Sequence, residues 1–233
     1  MISRLDQSFE KQKQFISDAS HELRTPISVI QGYVNLIDRW GKSDTEVLEE
    51  SISSIKYETE HMANLIKQLL FLARTDNKTQ TAQLKPEDIS IIAEDVVKEA
   101  TVMDPKISIK FTGNSSVTAN IDEHLIKQLM WIFVDNAIKY SADKPIIIDV
   151  NTGYEDGKPF FTVTDKGIGM EQENINHIFD RFYRADQSRN KEIDGNGLGL
   201  SIAKWIIEQH NGHIDVISEI GNGSCFKITF PQI

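Results

Sequence analysis

Cysteine is nearly absent: the chain holds one, Cys225, among 233 residues. A single thiol cannot close an internal disulfide. That excludes a stapled secreted scaffold and leaves Cys225, in the strand-like run SCFKITF, as an expected small core residue in a reducing compartment. Long apolar runs are missing as well. No stretch approaches the ~18 uninterrupted apolar residues that a spanning helix needs, and no basic-then-apolar leader follows Met1. Basic residues are in deficit, 25 Lys and Arg against 35 Asp and Glu, for a formal charge of −10. Nucleic acid and anionic lipid both demand net basic surface, so neither is expected as the main partner. The chain as given is expected in the cytoplasm. A hydrophobic content of 39% is ample for a true core, and the length suits one or two domains.

The clearest pattern is a heptad register through the first forty positions. With Phe9, Ile16, Leu23, Ile30 and Ile37 at a, the d positions are Leu5, Gln12, Ala19, Pro26 and Tyr33. The stretch SHELRTP sits inside this helix, and His21 falls at f, facing solvent. Pro26 cannot donate to the carbonyl of Glu22 and its ring crowds that carbonyl, a cost of roughly 3 kcal/mol in a helix interior, so a kink is expected just past His21. Residues 3–40 predict one helix on the order of 55 Å long at ~1.5 Å per residue. Gly41, Ser43 and Asp44 break it, and Ser43 or Asp44 can cap a second helix with Glu46 in its first turn. In that helix Leu48, Ile55, Met62 and Leu69 form one row and Ile52, Thr59, Ile66 and Ala73 another, widened by Leu65, Leu70 and Leu72. The two helices predict an antiparallel hairpin. Pairing two hairpins into a four-helix bundle covers the remaining apolar flanks, which predicts a homodimer; docking of the hairpin on the rest of its own chain is the alternative.

Between Thr75 and Pro86 the composition turns polar, and the expected domains are 1–80 and 81–233. Beyond that boundary helices are expected at 87–103, 122–140 and 198–210. Strands are expected at 107–111, 117–121, 146–151, 160–164, 213–218 and 224–230. The last four come in adjacent pairs, around EDGKP and around Gly221-Asn222-Gly223. This order describes an α+β layer, a mixed sheet with helices on one face.

Three patches in the second domain carry chemistry. In VDNAIKYS, Asn136 and Lys139 are three apart on one helix face, where an amide oxygen can complete a Mg2+ shell and an ammonium can meet phosphate; Tyr140 offers a ring for stacking. In TDKGIGM, a strand-end carboxylate, Asp165, can accept from an exocyclic amine while Gly167 and Gly169 let the backbone pass close to a planar ligand. In GNGLGLSIAKWI, Gly195, Gly197 and Gly199 lead into a helix start whose N–H groups suit an anion. The ending Gly-Lys-Ser/Thr of a phosphate-binding P-loop is missing, and no dinucleotide-binding βαβ unit frames the glycines. Between the second and third patches, IFDRFYRADQSRNKEIDG reads as a lid segment over a nucleotide.

Taken together these motifs resemble the catalytic core of a bacterial sensor histidine kinase of a two-component system. SHELRTP is similar to that family's H box, VDNAIKYS to its N box, DKGIGM to its G1 box, IFDRFYR to its F box and GNGLGL to its G2 box. The order and spacing fit over residues 3–233. The resemblance implies a multidomain α and α+β protein. A hairpin forms a dimeric four-helix bundle for dimerisation and histidine phosphotransfer (1–80), and an α/β-sandwich, Bergerat-type ATP-binding catalytic domain follows (81–233). It implies ATP with Mg2+, autophosphorylation of His21, transfer to an aspartate of a response regulator receiver domain, and phosphatase activity toward that regulator as a further capacity. It makes Glu22 the base partner of His21 and Thr25 the residue that orients water for dephosphorylation. Asn136 is the implied Mg2+ ligand, Lys139 a phosphate contact, Tyr140 a ring packed on adenine and Asp165 the acceptor for the adenine amine. Gly167, Gly169, Gly195, Gly197, Leu198 and Gly199 shape the pocket and lid ends, Phe179 and Phe182 anchor the lid, and Arg184 and Arg189 meet the γ-phosphate.

One position departs from the pattern. Many relatives carry asparagine four residues before Asn136, where this chain has Ile132. Related ATP-hydrolysing clamps place a glutamate there to activate water, and isoleucine cannot do so, which favours transfer over hydrolysis. The rivals are a non-catalytic dimeric pseudokinase scaffold and an ATP-hydrolysing clamp. Because the heptads begin directly at Met1, the full-length protein is expected to be anchored in the bacterial cell membrane through upstream segments.

Overall fold

Pro26 does not end the first helix. In the computed structural model, α1 runs Ile2–Trp40 with Pro26 inside it. Residues 2–41, 43–103, 107–114, 116–141, 146–185 and 195–232 are described. α2 runs Thr45–Asp76 and starts at Asp44, whose carboxylate accepts from the backbone N–H of Glu46 and Val47 at 3.0 and 3.1 Å. This satisfies donors that a helix N-terminus leaves orphaned. Asn77 closes α2, with both its backbone N–H and its side-chain amide donating to the carbonyl of Ala73. Together α1 and α2 form the first of two compact units, Met1–Asn77; the second is Lys78–Ile233.

Within the hairpin the heptad register places most side chains correctly. Pro26 is buried, Ala19, Leu23, Ile30, Tyr33 and Ile37 are partly covered, and His21 is exposed. Ile16, expected at a seam position, is 59% exposed, and the side chains of Leu5 and Phe9 lie outside the described residues. On α2 the row Leu48, Ile55, Met62 and Leu69 is partly covered and Leu65 and Leu72 are buried. In the second row Ile52 and Ile66 are exposed. The covered stripe of α2 is the Leu48 row together with Leu65 and Leu72, which leaves Ile52 and Ile66 on its open flank.

In the second unit β1 (Lys85–Asp88) pairs antiparallel with a later strand and leads into α3 (Ile89–Met103). The expected helix start at Glu87 is thus two residues early. Pro86 lacks an N–H yet fits this two-stranded edge pair, and the Asp88 carboxylate takes the backbone N–H of Ser90 and of Val117. Then follow β2 (Ile107–Phe111), β3 (Thr118–Ile121), the partner of β1, and α4 (Glu123–Lys139), N-capped by Asp122 through the N–H of Leu125. β4 (Ile146–Glu155) and β5 (Lys158–Asp165) run longer than expected, up to the tight turn at Asp156-Gly157, where both residues have positive φ. That is the conformation a two-residue hairpin turn requires. A short α5 (Gln172–Ile175), not anticipated, precedes α6 (Gly199–Gln209), β6 (His213–Glu219) and β7 (Gly223–Thr229).

The large sheet has the order β2-β4-β5-β7-β6, parallel only between β2 and β4. Its inner face alternates as a half-buried sheet should: Val150, Phe161, Val163, Phe226 and Ile228 are buried with Phe133, Leu129 and Ile126 of α4 and with Ile202 and Ile206 of α6. Phe133 stacks on Phe226 at a centroid distance of 4.8 Å. The outer face is more open. Cys225 lies there, half-buried opposite Thr164, whose hydroxyl donates to its sulfur; it is therefore a face residue and not the expected core residue, because the inward positions of β7 are Ser224, Phe226 and Ile228.

A knot far along α4 from Tyr140 fixes where the chain joins the second unit. Buried His210, at the C-cap of α6, accepts the Asp122 N–H through Nε2 (3.0 Å) and donates from Nδ1 to the carbonyl of Ile206 (2.7 Å). The second carboxylate oxygen of Asp122 accepts the N–H of Gln83 at 2.9 Å. Burial holds the His210 pKa below the ordinary histidine value.

Candidate functional site

A cleft of about 360 Å³ opens in the second unit, within the range of small-molecule sites. The end of β5 supplies Asp165, the end of α4 supplies Asn136 and Tyr140, and the segment after β5 supplies Ile168, Gly169 and Met170. Asp165 follows the inward alternation of β5 and is 7% exposed. Its Oδ1 accepts the N–H of Gly167 at 2.7 Å and of Ser224 at 3.3 Å. Oδ2 is left, among the described residues, as an acceptor toward the cleft. Burial pushes its carboxyl above the usual carboxylate value, and the two N–H bonds pull it partway back.

The glycines of this loop are demanded by crowding. A Cβ on Gly167 would meet the carbonyl oxygen of Tyr140 and Asp165 Oδ1. Gly169 has φ +66° and lies against the Glu219 carbonyl. Backbone bonds stitch the loop to its neighbours: Ile168 N–H donates to the Tyr140 carbonyl (3.0 Å) and Gly221 N–H to the Ile168 carbonyl (2.8 Å). The Ser218 hydroxyl takes the Met170 N–H at 2.8 Å and lies 2.9 Å from the Ser224 hydroxyl. One rigid floor thus joins the G1-like loop to β6 and β7.

Of the residues singled out from sequence, Asn136, Tyr140, Asp165, Gly169 and Arg184 line the cleft. Lys139 does not; its ammonium is 2.6 Å from Asp135 one turn back on α4. Asn136 and Lys139 share a face only loosely, and the i,i+4 carboxylate captures the longer side chain. Gly197, with φ +67°, is packed on the backbone of Phe182, and Phe182 N–H donates to the Gly197 carbonyl at 3.0 Å. The F-box-like and G2-like stretches are pinned to each other there. Leu198 is fully buried beneath the start of α6. Its N–H already donates to Asn196 Oδ1 at 3.1 Å, so Asn196 takes one of the donors expected for an anion. A Cβ on Gly199 would make an ordinary contact with Ile132, and one on Gly195 would meet nothing within 4 Å. Phe179 is half-buried outside the cleft lining. Arg189 lies outside the described residues.

Residues not foreseen complete the lining: Glu171, Asn174, Ile178, Tyr183, Ala185, Leu200, Ile220, Ser224 and Phe226. Ser224 comes beside Asp165 through the pairing of β7 with β5, a contact that the fold creates and the final hairpin alone does not. Asn174 and Tyr183 join through a hydrogen bond that only the fold creates.

The first unit presents a different chemistry. His21 and Thr25 are exposed one turn apart on α1, Glu22 beside them is half-buried, and Pro26 is buried. An imidazole, a carboxylate and a hydroxyl therefore share the helix just ahead of its one proline.

Among the described residues no group of three His, Cys, Asp or Glu side chains could hold a metal. Asn136 brings one amide oxygen to the cleft, which suits Mg2+ that keeps waters and phosphate oxygens as its other ligands.

Comparison with known proteins places both units. Residues 121–233 match the family described as histidine kinase-, DNA gyrase B- and HSP90-like ATPase, and residues 11–78 match the His Kinase A (phospho-acceptor) domain. The chain is 42% identical to sensor histidine kinase YkoH of Bacillus subtilis over 232 residues, 100% of this chain and 50% of that protein. It is 39% identical to signal transduction histidine-protein kinase ArlS of Staphylococcus haemolyticus, over 99% of this chain and 51% of that one. The chain spans about half the length of these relatives. Among solved structures, Acinetobacter baumannii histidine kinase AdeS superposes with TM-score 0.68 at 24% identity, covering 91% of this chain and 98% of that one. Histidine kinase ThkA, solved in complex with response regulator protein TrrA, superposes with TM-score 0.73 at 20% identity, covering 99% and 66%. These two likenesses carry the fold.

Proposed function

Because the chain belongs to the two-component sensor histidine kinases, of which it carries the catalytic core, we propose that it phosphorylates its own His21 from ATP and passes the phosphoryl group to an aspartate of a response regulator. The observation that carries this reading is the pairing of an exposed imidazole in one unit with, in the other, a cleft floored by a buried carboxylate. Asp165 Oδ2 accepts the adenine amine, and the cost of keeping that carboxylate buried is offset when a donor arrives. Tyr140 packs on the base. Asn136 would hold Mg2+, which supplies charge neutralisation at the phosphates when bound. Lys139 reaches phosphate by leaving Asp135, a change that costs little, since exposed ion pairs are worth about 0–1 kcal/mol. Arg184, in the cleft lining, meets the terminal phosphate.

In the transfer step a lone pair on a ring nitrogen of His21 forms the N–P bond as the bond from the γ-phosphorus to the ADP oxygen breaks. The proton left on the other ring nitrogen passes to Glu22. An imidazole suits the role because its ring nitrogen is a nucleophile that can form a covalent intermediate. Most of the rate comes from positioning and charge stabilisation. Thr25, one helical turn on, orients water for dephosphorylation of the regulator. Two copies of the hairpin form the bundle that presents His21, and segments beyond this chain anchor the protein in the bacterial cell membrane.

Incubation with γ-labelled ATP and Mg2+ is expected to give an acid-labile, base-stable label that is absent in His21→Gln and moves to a receiver domain on mixing. A label that survives His21→Gln overturns the assignment. Steady phosphate release without phosphoprotein identifies an ATP-hydrolysing clamp instead, and ATP binding without any label identifies a scaffold.

A further inference from the structure

Phe182 holds a left-handed backbone, φ +61°, that a bulky side chain adopts only when its surroundings impose it. The surroundings are visible. Its N–H is bound to the Gly197 carbonyl, and the next residue is fixed from the other side. Tyr183 donates its hydroxyl to Asn174 Oδ1 at 2.8 Å, and its ring lies 5.6 Å, centroid to centroid, from that of His177. Asn174 sits in α5 and is itself tied down, because its backbone N–H donates to the Glu171 carbonyl (3.0 Å) and its carbonyl accepts from His177 and Ile178. Asn174, Tyr183 and Arg184 all line the cleft.

From this arrangement we infer that Tyr183 is a positioning residue for the terminal phosphate of the nucleotide: its hydroxyl, held by Asn174, sets the backbone from which Arg184 reaches the triphosphate end of the cleft. The inference rests on the reading of the cleft as an ATP site and deepens it. The base end, built from Asp165, Gly167 and Ser224, is bonded independently of Tyr183. Loss of the Tyr183 hydroxyl therefore acts on γ-phosphate recognition and leaves adenine and the first two phosphates as they were. A role confined to packing would be kept by phenylalanine, which preserves the ring against His177.

The test uses the full chain. Binding of ATP and of ADP is measured by calorimetry for the wild type, Tyr183→Phe, Asn174→Ala and the double variant, alongside KM and kcat for His21 labelling. The expected result is a roughly 5- to 10-fold weaker ATP affinity and raised KM in each single variant, the worth of one hydrogen bond of about 1–1.4 kcal/mol, with ADP affinity within twofold of wild type. The double variant should lose no more than either single one, since one bond links the pair. Equal losses for ATP and ADP, additive losses in the double variant, or a Tyr183→Phe protein with unchanged ATP-to-ADP preference overturns the inference. A wild-type chain that binds neither nucleotide overturns both the inference and the site beneath it, whereas normal wild-type labelling with no effect of Tyr183→Phe overturns the inference alone.

Discussion

Asp165 is a carboxylate whose burial disfavours its charged form. Its folded pKa is raised by burial, so the folded state binds the proton more tightly than the unfolded chain does. Stability from this group is full below the unfolded carboxylate pKa and is lost as pH rises through the folded one. Near neutral pH the buried charge therefore costs stability, while it serves as acceptor. Asp165→Asn keeps an Oδ1 acceptor for Gly167 and Ser224 and removes the charge. It is expected to unfold at a temperature equal to or above that of the wild type at pH 8, with the gap closing as pH falls toward 4. ATP affinity should drop roughly 10- to 100-fold, as for a lost hydrogen bond to a charged group. Thermal scans across pH and titration calorimetry decide it; a variant destabilised equally at every pH would mean that the carboxylate is structurally required. Asp165 is legible as a candidate from its place between a strand and two glycines. That both its bonds use one oxygen is not, because the Ser224 donor comes from a strand 59 positions away in sequence.

Elements were read from sequence wherever a periodic pattern had a chemical terminator. Asp44 and Asp122 each mark a helix start because each carboxylate accepts a backbone N–H that the helix leaves free. Boundaries slipped where competing rules met. Glu87 and Asp88 read as the start of a helix because their extended pairing partner, β3, lies across α3 and β2 in sequence. The hairpin of β4 and β5 outran its apolar core because the turn, and not hydrophobicity, sets where pairing stops. α5 is only four residues and carries no period to detect. For α1 the element-scale question is what Pro26 does. Alanine there restores a helix donor and relieves a penalty of about 3 kcal/mol, but it gives up part of a buried side chain. Pro26→Ala is expected to raise the thermal midpoint of the hairpin by a few degrees and to shift the ratio of His21 labelling to regulator dephosphorylation. If both activities and the midpoint are unchanged, the proline is incidental.

At the scale of the whole molecule the hairpin carries more apolar surface than one copy covers. Ile27 and Val34 on α1, with Ile52 and Ile66 on α2, are 42–55% exposed and recur at helical spacing, the signature of a helix face awaiting a partner. Light scattering at micromolar concentration is expected to give twice the 26.5 kDa chain mass, and Ile52→Lys with Ile66→Lys to give the single mass with the second unit still folded; a monomeric wild type would refute the bundle. The knot of His210, Asp122 and Gln83 has a consequence inside the second unit. Segments 39 and 88 positions apart along the chain close on one another there, so the stretch that enters this unit and the end of α6 cannot fray independently.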